Sequence, residues 1–228
     1  MKRHSKMYVE ALGNVDKNKE YDVTEALKVL KSLKTRKFDE TVDLALNLNI
    51  DTKKTEMNIR GSFVLPNGTG KTKKVLVVTK TKADEAKDAD FCGAEDVLEK
   101  IEKENWFDFD TIIATPDMMP ALGKLGKVLG PKGLMPNPKT GTVTMDVKKA
   151  VEDVKSGKVE YRTDTFGIIH SVIGKVSFSE EDLLANLNAF VSTILKVKPA
   201  SVKGDYVKSI SISSTMGPGI KVENNFDK

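Results

Sequence analysis

Thr41-Val42-Asp43-Leu44-Ala45-Leu46-Asn47-Leu48-Asn49-Ile50 carries an aliphatic side chain at every second position. Val42, Leu44, Leu46, Leu48 and Ile50 share one parity, and Phe38 joins them upstream. A period of two marks a strand with one buried face. Glu40 and Asn47 are assigned to the opposite, solvent-facing side. Upstream, Asp22 can cap a helix with Glu25 at the capping-box spacing. Val23, Ala26, Leu27, Leu30 and Leu33 then form one apolar face. A shorter helix is expected from Ser5 to Leu12. Downstream, Ile59 to Leu65 alternates again, with Ile59, Gly61, Phe63 and Leu65 inward, until Pro66-Asn67-Gly68 ends it.

The middle of the chain follows another pattern. Val75-Leu76-Val77-Val78 and Ile112-Ile113-Ala114 are unbroken apolar runs, which suit strands covered on both faces. Helical stretches are expected near Ala83–Ala89, Ala94–Glu104 and Val147–Lys155. Strands alternating with helices imply βαβ units. After Lys158 the first pattern returns. Val159–Arg162 and Ile168–Phe178 read as strands. Ser179, with Asp182 at the box position, starts a helix whose Leu183, Leu184, Leu187, Phe190, Val191, Ile194 and Leu195 recur at 3–4 spacing, with Pro199 as its stop. Val207–Ile212 alternates once more, Ile210 and Ile212 on one face and Ser209 and Ser211 on the other.

These patterns predict an α+β chain of two domains. Residues 1–66 and 160–228 form a discontinuous split βαβ domain, and residues 67–159 an inserted Rossmann-like α/β domain. The turns Pro66-Asn67-Gly68 and Ser156-Gly157-Lys158 are the expected two-strand hinge.

Charge does not name a partner. The 228 residues hold 37 basic and 33 acidic side chains, net +4. By segment the balance is +3 over 1–66, +1 over 67–159 and 0 over 160–228. That is far from a non-specific nucleic-acid coat. The start, Met1-Lys2-Arg3-His4-Ser5-Lys6, lacks the apolar segment of a signal peptide. No run of about 18 apolar residues suggests a membrane span. The one cysteine, Cys92, allows no internal disulfide and fits a reducing compartment. With only His4 and His170 beside it, a zinc site of the Cys/His kind is not expected.

Gly130 to Val143 packs three Gly, three Pro and two Lys into fourteen residues with no acid. Regular structure does not survive that density of breakers. From Met118 to Met145 the only charges are Lys124, Lys127, Lys132 and Lys139. This is either a phosphate-contacting loop or a long solvated one. Gly68-Thr69-Gly70-Lys71-Thr72 is a poor phosphate loop. Leu65 stands where its first Gly belongs, and Lys73-Lys74-Val75-Leu76-Val77 continues as strand instead of helix. Cys92, with acids nearby, reads as a small core residue. His170 lies inside a strand pattern, as a packed or RNA-contacting residue. Thr35-Arg36-Lys37-Phe38 sets cations and an aromatic at a helix-to-strand junction, where phosphate and ribose can be met. By parity Phe38 packs inward, whereas Lys37 and Thr41 face out. Thr215-Met216-Gly217 follows the Ser209/Ser211 strand, and a Gly there admits close backbone approach.

Gly123-Lys124-Leu125-Gly126-Lys127-Val128-Leu129-Gly130-Pro131-Lys132-Gly133-Leu134-Met135-Pro136-Asn137-Pro138-Lys139-Thr140-Gly141-Thr142-Val143 resembles the signature of the large-subunit ribosomal protein L-one family, bacterial type. Lys37-Phe38-Asp39-Glu40-Thr41-Val42, Gly167-Ile168-Ile169-His170 with Gly174-Lys175, and Ser214-Thr215-Met216-Gly217-Pro218 agree with it. The resemblance spans essentially the whole chain. It implies the discontinuous two-domain fold with a flexible hinge, and a role without catalysis or cofactor. It implies binding to large-subunit ribosomal RNA at a mobile stalk beside the tRNA exit site, assistance to tRNA release, and repression of the chain's own mRNA. It also implies a cytoplasmic, ribosome-bound protein without a membrane partner, monomeric when free. Carried over by motif, the RNA surface comprises Arg36, Lys37, Phe38, Thr41, Asp164, His170, Ser211, Thr215, Met216 and Gly217. The signature loop, with Gly130, Lys132, Gly133, Met135, Asn137, Lys139 and Gly141, then lies in the inserted domain, facing a cleft or making a secondary RNA contact. Family members often carry Asp-Lys where this chain has Thr165-Phe166, so a cationic contact is lost and Phe166 is left to stack or pack. A cytosolic α/β nucleotide-binding enzyme is the alternative reading.

Overall fold

The alternating segment that opens the sequence forms strand β1 (Thr41–Leu48), and helices α1 (Lys6–Gly13) and α2 (Val23–Ser32) precede it. The structure is a computed structural model that describes residues 5–33, 36–54, 57–80, 86, 88–199, 202 and 204–226. Thr35 and most of the Ala83–Ala89 stretch lie outside the described residues. Asp88 to Asp90 forms turn and bends. The described chain is mixed helix and sheet, and it separates into two compact units. One takes the chain up to Gly70 and again from Val159; the other is Lys71–Lys158.

In the first unit, β1 is central. After β2 (Arg60–Val64), the unit resumes with β6 (Lys158–Arg162), β7 (Ile168–Lys175), α7 (Glu180–Lys196), β8 (Val207–Ser214) and β9 (Ile220–Val222). An antiparallel sheet runs in the order β7-β1-β8-β9, and β2 pairs with β6 apart from it. Val42, Leu44, Leu46 and Leu48 are buried, packed in one cluster with Leu27 and Leu30 of α2 and Leu187 and Phe190 of α7. Each such side chain contributes about 1.5–3 kcal/mol on burial. The opposite face, Thr41, Asp43, Ala45 and Asn47, stays half-exposed.

The helix starts follow their capping chemistry. Ser179 accepts the Asp182 amide at 3.0 Å and donates back to its carboxylate at 2.6 Å. Asp22 caps α2 by accepting the Thr24 amide, while Glu25 pairs outward with Lys19 instead of closing a box. Two strand ends differ from expectation. β7 stops at Lys175 and not at Phe178, because Ser177 turns away to bond Asp39. β8 runs on to Ser214, held by its pairing with Val42. Asn186 of α7, fully buried, was not expected. Its oxygen accepts the Asn67 amide, and its nitrogen donates to Gly68 and Ile173 carbonyls. The turn at 66–68 is thus fastened into this unit.

In the second unit, β3 (Val75–Val78), β4 (Phe91–Gly93) and β5 (Thr111–Ala114) form a parallel sheet in the order β4-β3-β5. All four β3 residues are buried. Leu76 and Val78 pack with Leu98 and Ile101 of α3 (Glu95–Glu104). Val75 and Val77 pack with Val147, Val151 and Val154 of α6 (Val147–Lys155). Coverage on both faces is why the run lacks alternation. Cys92 corrects its assignment to the core: it is exposed on the edge strand β4. Partial desolvation raises its thiol pKa.

The signature segment begins in the short helices α4 (Met119–Lys124) and α5 (Gly126–Leu129) and closes on its own bonds. Gly130 ends α5, with its amide on the Gly126 carbonyl. Gly133 and Gly141 take positive φ of 70° and 63°. Met135 packs partly into the core beside α3. Asn137 accepts the Lys139 amide at 2.8 Å, and its carbonyl accepts both Thr140 and Thr142 hydroxyls at 3.1 Å. Val143 bridges to Ala114. Lys132 places its ammonium 3.3 Å from the centre of the Phe107 ring. These bonds make the loop a shaped part of its unit.

Candidate nucleic-acid interface

Most of the sequence-derived surface residues gather in the first unit, at the start of β1 and the end of β8. Past the Val42–Ser214 pair, the Thr215 amide donates to the Thr41 carbonyl at 3.0 Å. The Thr215 hydroxyl accepts the Thr41 amide at 3.0 Å and lies 3.3 Å from the Thr41 carbonyl, to which it can donate. Lys175 reaches the Thr41 hydroxyl at 3.1 Å and the Asp39 carbonyl at 3.2 Å. The segments 36–41 and 214–217 are therefore cross-tied before any ligand arrives. A Cβ at Gly217 would sit 2.5 Å from the Ser214 hydroxyl oxygen, so that side chain would have to shift. The close approach it permits is to its own chain.

Phe38 is 53% exposed, which corrects the inward parity reading. The strand begins at Thr41, so its alternation does not extend to residue 38. Met216 is 49% exposed, and Lys37 is exposed as expected. Arg36 is half-buried. Its guanidinium lies 2.8 Å from the Met7 sulfur and 3.4 Å from the Ser5 hydroxyl, so α1 orients it. Glu40 corrects its outward assignment: it is 2% exposed. Its even number gives it the inward parity of Val42. Its carboxylate accepts the Arg36 amide at 2.9 Å and the Met216 amide at 3.1 Å. Burial pushes its pKa up, but the Ser214 hydroxyl, these two amides and the Arg36 charge outweigh burial and leave it below the ordinary carboxylate value.

Strand register builds the remainder on the half-exposed face. His170, Ala45, Ser211 and Lys221 form one row across four strands. At about 4.8 Å per strand, His170 and Ser211 stand roughly 10 Å apart across the small Ala45. Val172, Asp43 and Ser213 form the next row. Asp43 and Ser213 were missed by sequence reasoning, although their odd parity with Thr41 and Ser211 was the available signal. Burial raises the Asp43 pKa, and His170 and Lys175 oppose the rise. Ionised carboxylates only accept, so this face can meet ribose hydroxyls and base N–H groups as well as phosphates.

Asp164 lies off the strand rows, in the β6–β7 loop. Its Oδ1 accepts the Phe166 and Ile168 amides, each at 2.8 Å. Its Oδ2 is 3.7 Å from His170 Nε2. These contacts, the Ile168 amide foremost, hold its pKa below the ordinary value. Gly167 completes the turn at φ 82°. Phe166 does not pack: it is 80% exposed. The signature loop belongs to the other unit.

The phosphate-loop reading of Gly68–Thr72 finds no helix. Residues 71–74 are irregular and lead into β3. Gly68 instead offers its carbonyl to Asn186.

The first unit thus presents a polar sheet face with two loops cross-tied at one end. Residues 30–218 match the ribosomal protein L1p/L10e family, and the chain belongs to it. It is similar to the large ribosomal subunit protein uL1 of Mycoplasma capricolum subsp. capricolum, at 59% identity over 98% of this chain and 100% of that protein. It is likewise similar to the uL1 proteins of Mesoplasma florum and Mycoplasma mycoides subsp. mycoides, each at 58% identity over the full length of those proteins.

Proposed function

We propose that this chain, a bacterial structural protein of the large ribosomal subunit and not an enzyme, binds large-subunit ribosomal RNA through its first unit. The contacts assigned to RNA are Arg36, Lys37, Phe38, Thr41, Asp164, His170, Ser211, Thr215, Met216 and Gly217. The observation that carries the reading is the Thr41–Thr215 tie, which fixes two loops from distant parts of the chain beside one polar sheet face. Such a preformed surface suits recognition of a folded RNA by shape, with bonds to ribose and phosphate. Its modest charge places affinity in local fit more than in a bulk field.

In finer detail, the first unit is a split βαβ domain and the second a Rossmann-like insert joined through a two-strand hinge. The order β4-β3-β5, with helices on both faces, supports the second description. The protein acts in the cytoplasm on the ribosome. It sits at the mobile stalk beside the tRNA exit site, assists tRNA release and represses translation of its own mRNA, as the family resemblance implies. Among the described residues, no helix is long and apolar enough to cross a membrane. Competition between large-subunit ribosomal RNA and an unrelated RNA for the purified chain tests the reading. Preference for the ribosomal RNA supports it, and equal competition refutes it. Adding the chain to a cell-free translation of its own mRNA tests repression.

A further inference from the structure

Glu40 is the only Asp, Glu, Lys or Arg in the buried class among the described residues. Removing a carboxylate from water is unfavourable unless it is well bonded. The core does not need one here, since Val42 and Leu44 fill the same inward row with aliphatic side chains. The bonds of Glu40 are informative. Oε1 takes the amide of Arg36, four residues upstream, and Oε2 takes the amide of Met216, 176 residues downstream. The Ser214 hydroxyl is a further donor. Arg36, Glu40, Ser214, Met216 and Gly217 line one small concavity. The two bonded amides belong to the two loops that present Phe38 and Met216.

We propose that Glu40 is the positioning residue of the RNA surface: its buried carboxylate sets the spacing of the 36–38 and 215–217 loops, so that their exposed side chains meet a folded RNA together. This rests on the RNA-binding reading above. An ionised carboxylate is suited to the task because both oxygens accept and neither donates. Holding both loops in the free protein removes an ordering loss from binding.

Glu40→Gln in the full chain is the test. One acceptor oxygen becomes a carboxamide NH2, a donor that faces a backbone N–H that also donates. Three quantities are read: the dissociation constant for transcribed large-subunit ribosomal RNA at fixed salt, that for an unrelated RNA, and the exchange rate of the Met216 amide. Specific affinity is expected to fall by about 10–100-fold, the scale of a small misplacement in a preorganised site. Binding to unrelated RNA and the salt slope stay unchanged, because no cation is lost. Met216 exchange quickens. Leu187→Val, a core change away from both loops, lowers stability and leaves specific affinity intact. Should Glu40→Gln not fold, Ser214→Ala removes one donor to the same carboxylate and weakens specific binding by about 2–5-fold, a fraction of one hydrogen bond to a charged group. Wild-type specific affinity in a folded Glu40→Gln or Ser214→Ala chain overturns the proposal. So does an equal loss for both RNAs. A wild-type chain that shows no preference for ribosomal RNA overturns the RNA-binding reading itself, and this proposal with it.

Discussion

Replacing Thr215 by Val removes one hydroxyl and nearly preserves shape. In the free protein that hydroxyl accepts the Thr41 amide at 3.0 Å. A typical hydrogen bond contributes about 0.5–1.5 kcal/mol net. Thr215 is exposed, so water partly replaces the lost acceptor and the stability loss falls toward the lower end. On the proposed function, RNA covering residue 215 would exclude water from the same spot. The Thr41 amide and the RNA group facing residue 215 then lack a partner, a loss of roughly 1–3 kcal/mol. That corresponds to about 5- to 150-fold in affinity. The assay is equilibrium binding to large-subunit ribosomal RNA at fixed salt, alongside urea unfolding. The expected signature is a large change in affinity with a small change in stability, because the hydroxyl matters most when dry. An unchanged dissociation constant refutes the reasoning. A loss explained wholly by unfolding would assign the hydroxyl to the fold alone.

Deleting 71–158 with a short linker is expected to leave specific RNA binding largely intact, since the assigned contacts lie in the first unit; loss of binding in a folded deletion chain contradicts that. Asn186→Ala strands the Asn67 amide and the Gly68 and Ile173 carbonyls and should destabilise by about 2–4 kcal/mol in urea unfolding. Glu40 has a depressed folded-state pKa, so its stabilisation is fully present above the unfolded carboxylate value of about 4.3 and is lost as pH falls through the lower folded value. Met216 amide protection should therefore hold at pH 6 and disappear only below the unfolded carboxylate value of about 4.3, and loss near pH 6 would contradict the assignment.

Where a pattern is local, the sequence displays the fold. The period of two in Val42–Leu48 marks both the strand and its buried face. The Ser179/Asp182 spacing marks the start of α7, and the unbroken Val75–Val78 run marks a strand covered on two sides. Each depends on residues a few positions apart. What was not legible depends on distant partners. Glu40 and Asn186 are polar residues made burial-competent by amides and carbonyls from Met216, Asn67 and Gly68. Their burial follows local periodicity, Glu40 with Val42 and Asn186 with Leu183 and Leu187, but these distant partners do not show in the sequence. Phe38 escapes its apparent parity because the strand starts at Thr41. Cys92 is small and flanked by Phe91 and Gly93, but it lies on an edge strand, and edges follow from sheet order. The site was half legible. Motif resemblance named the loops, whereas only register showed that Asp43 and Ser213 share the face with His170 and Ser211.

The central claim is that this chain recognises ribosomal RNA by a preformed local surface and not by bulk charge. Binding to large-subunit ribosomal RNA across a salt series tests it most directly. Among the described residues, four cations, Arg36, Lys37, Lys175 and Lys221, lie on or beside the surface. At about −0.7 to −0.9 per neutralised phosphate, the log–log slope should be no steeper than roughly −4. Preference over unrelated RNA should persist as salt rises. A slope near −8 or steeper, with preference vanishing at the same rate, would contradict the account.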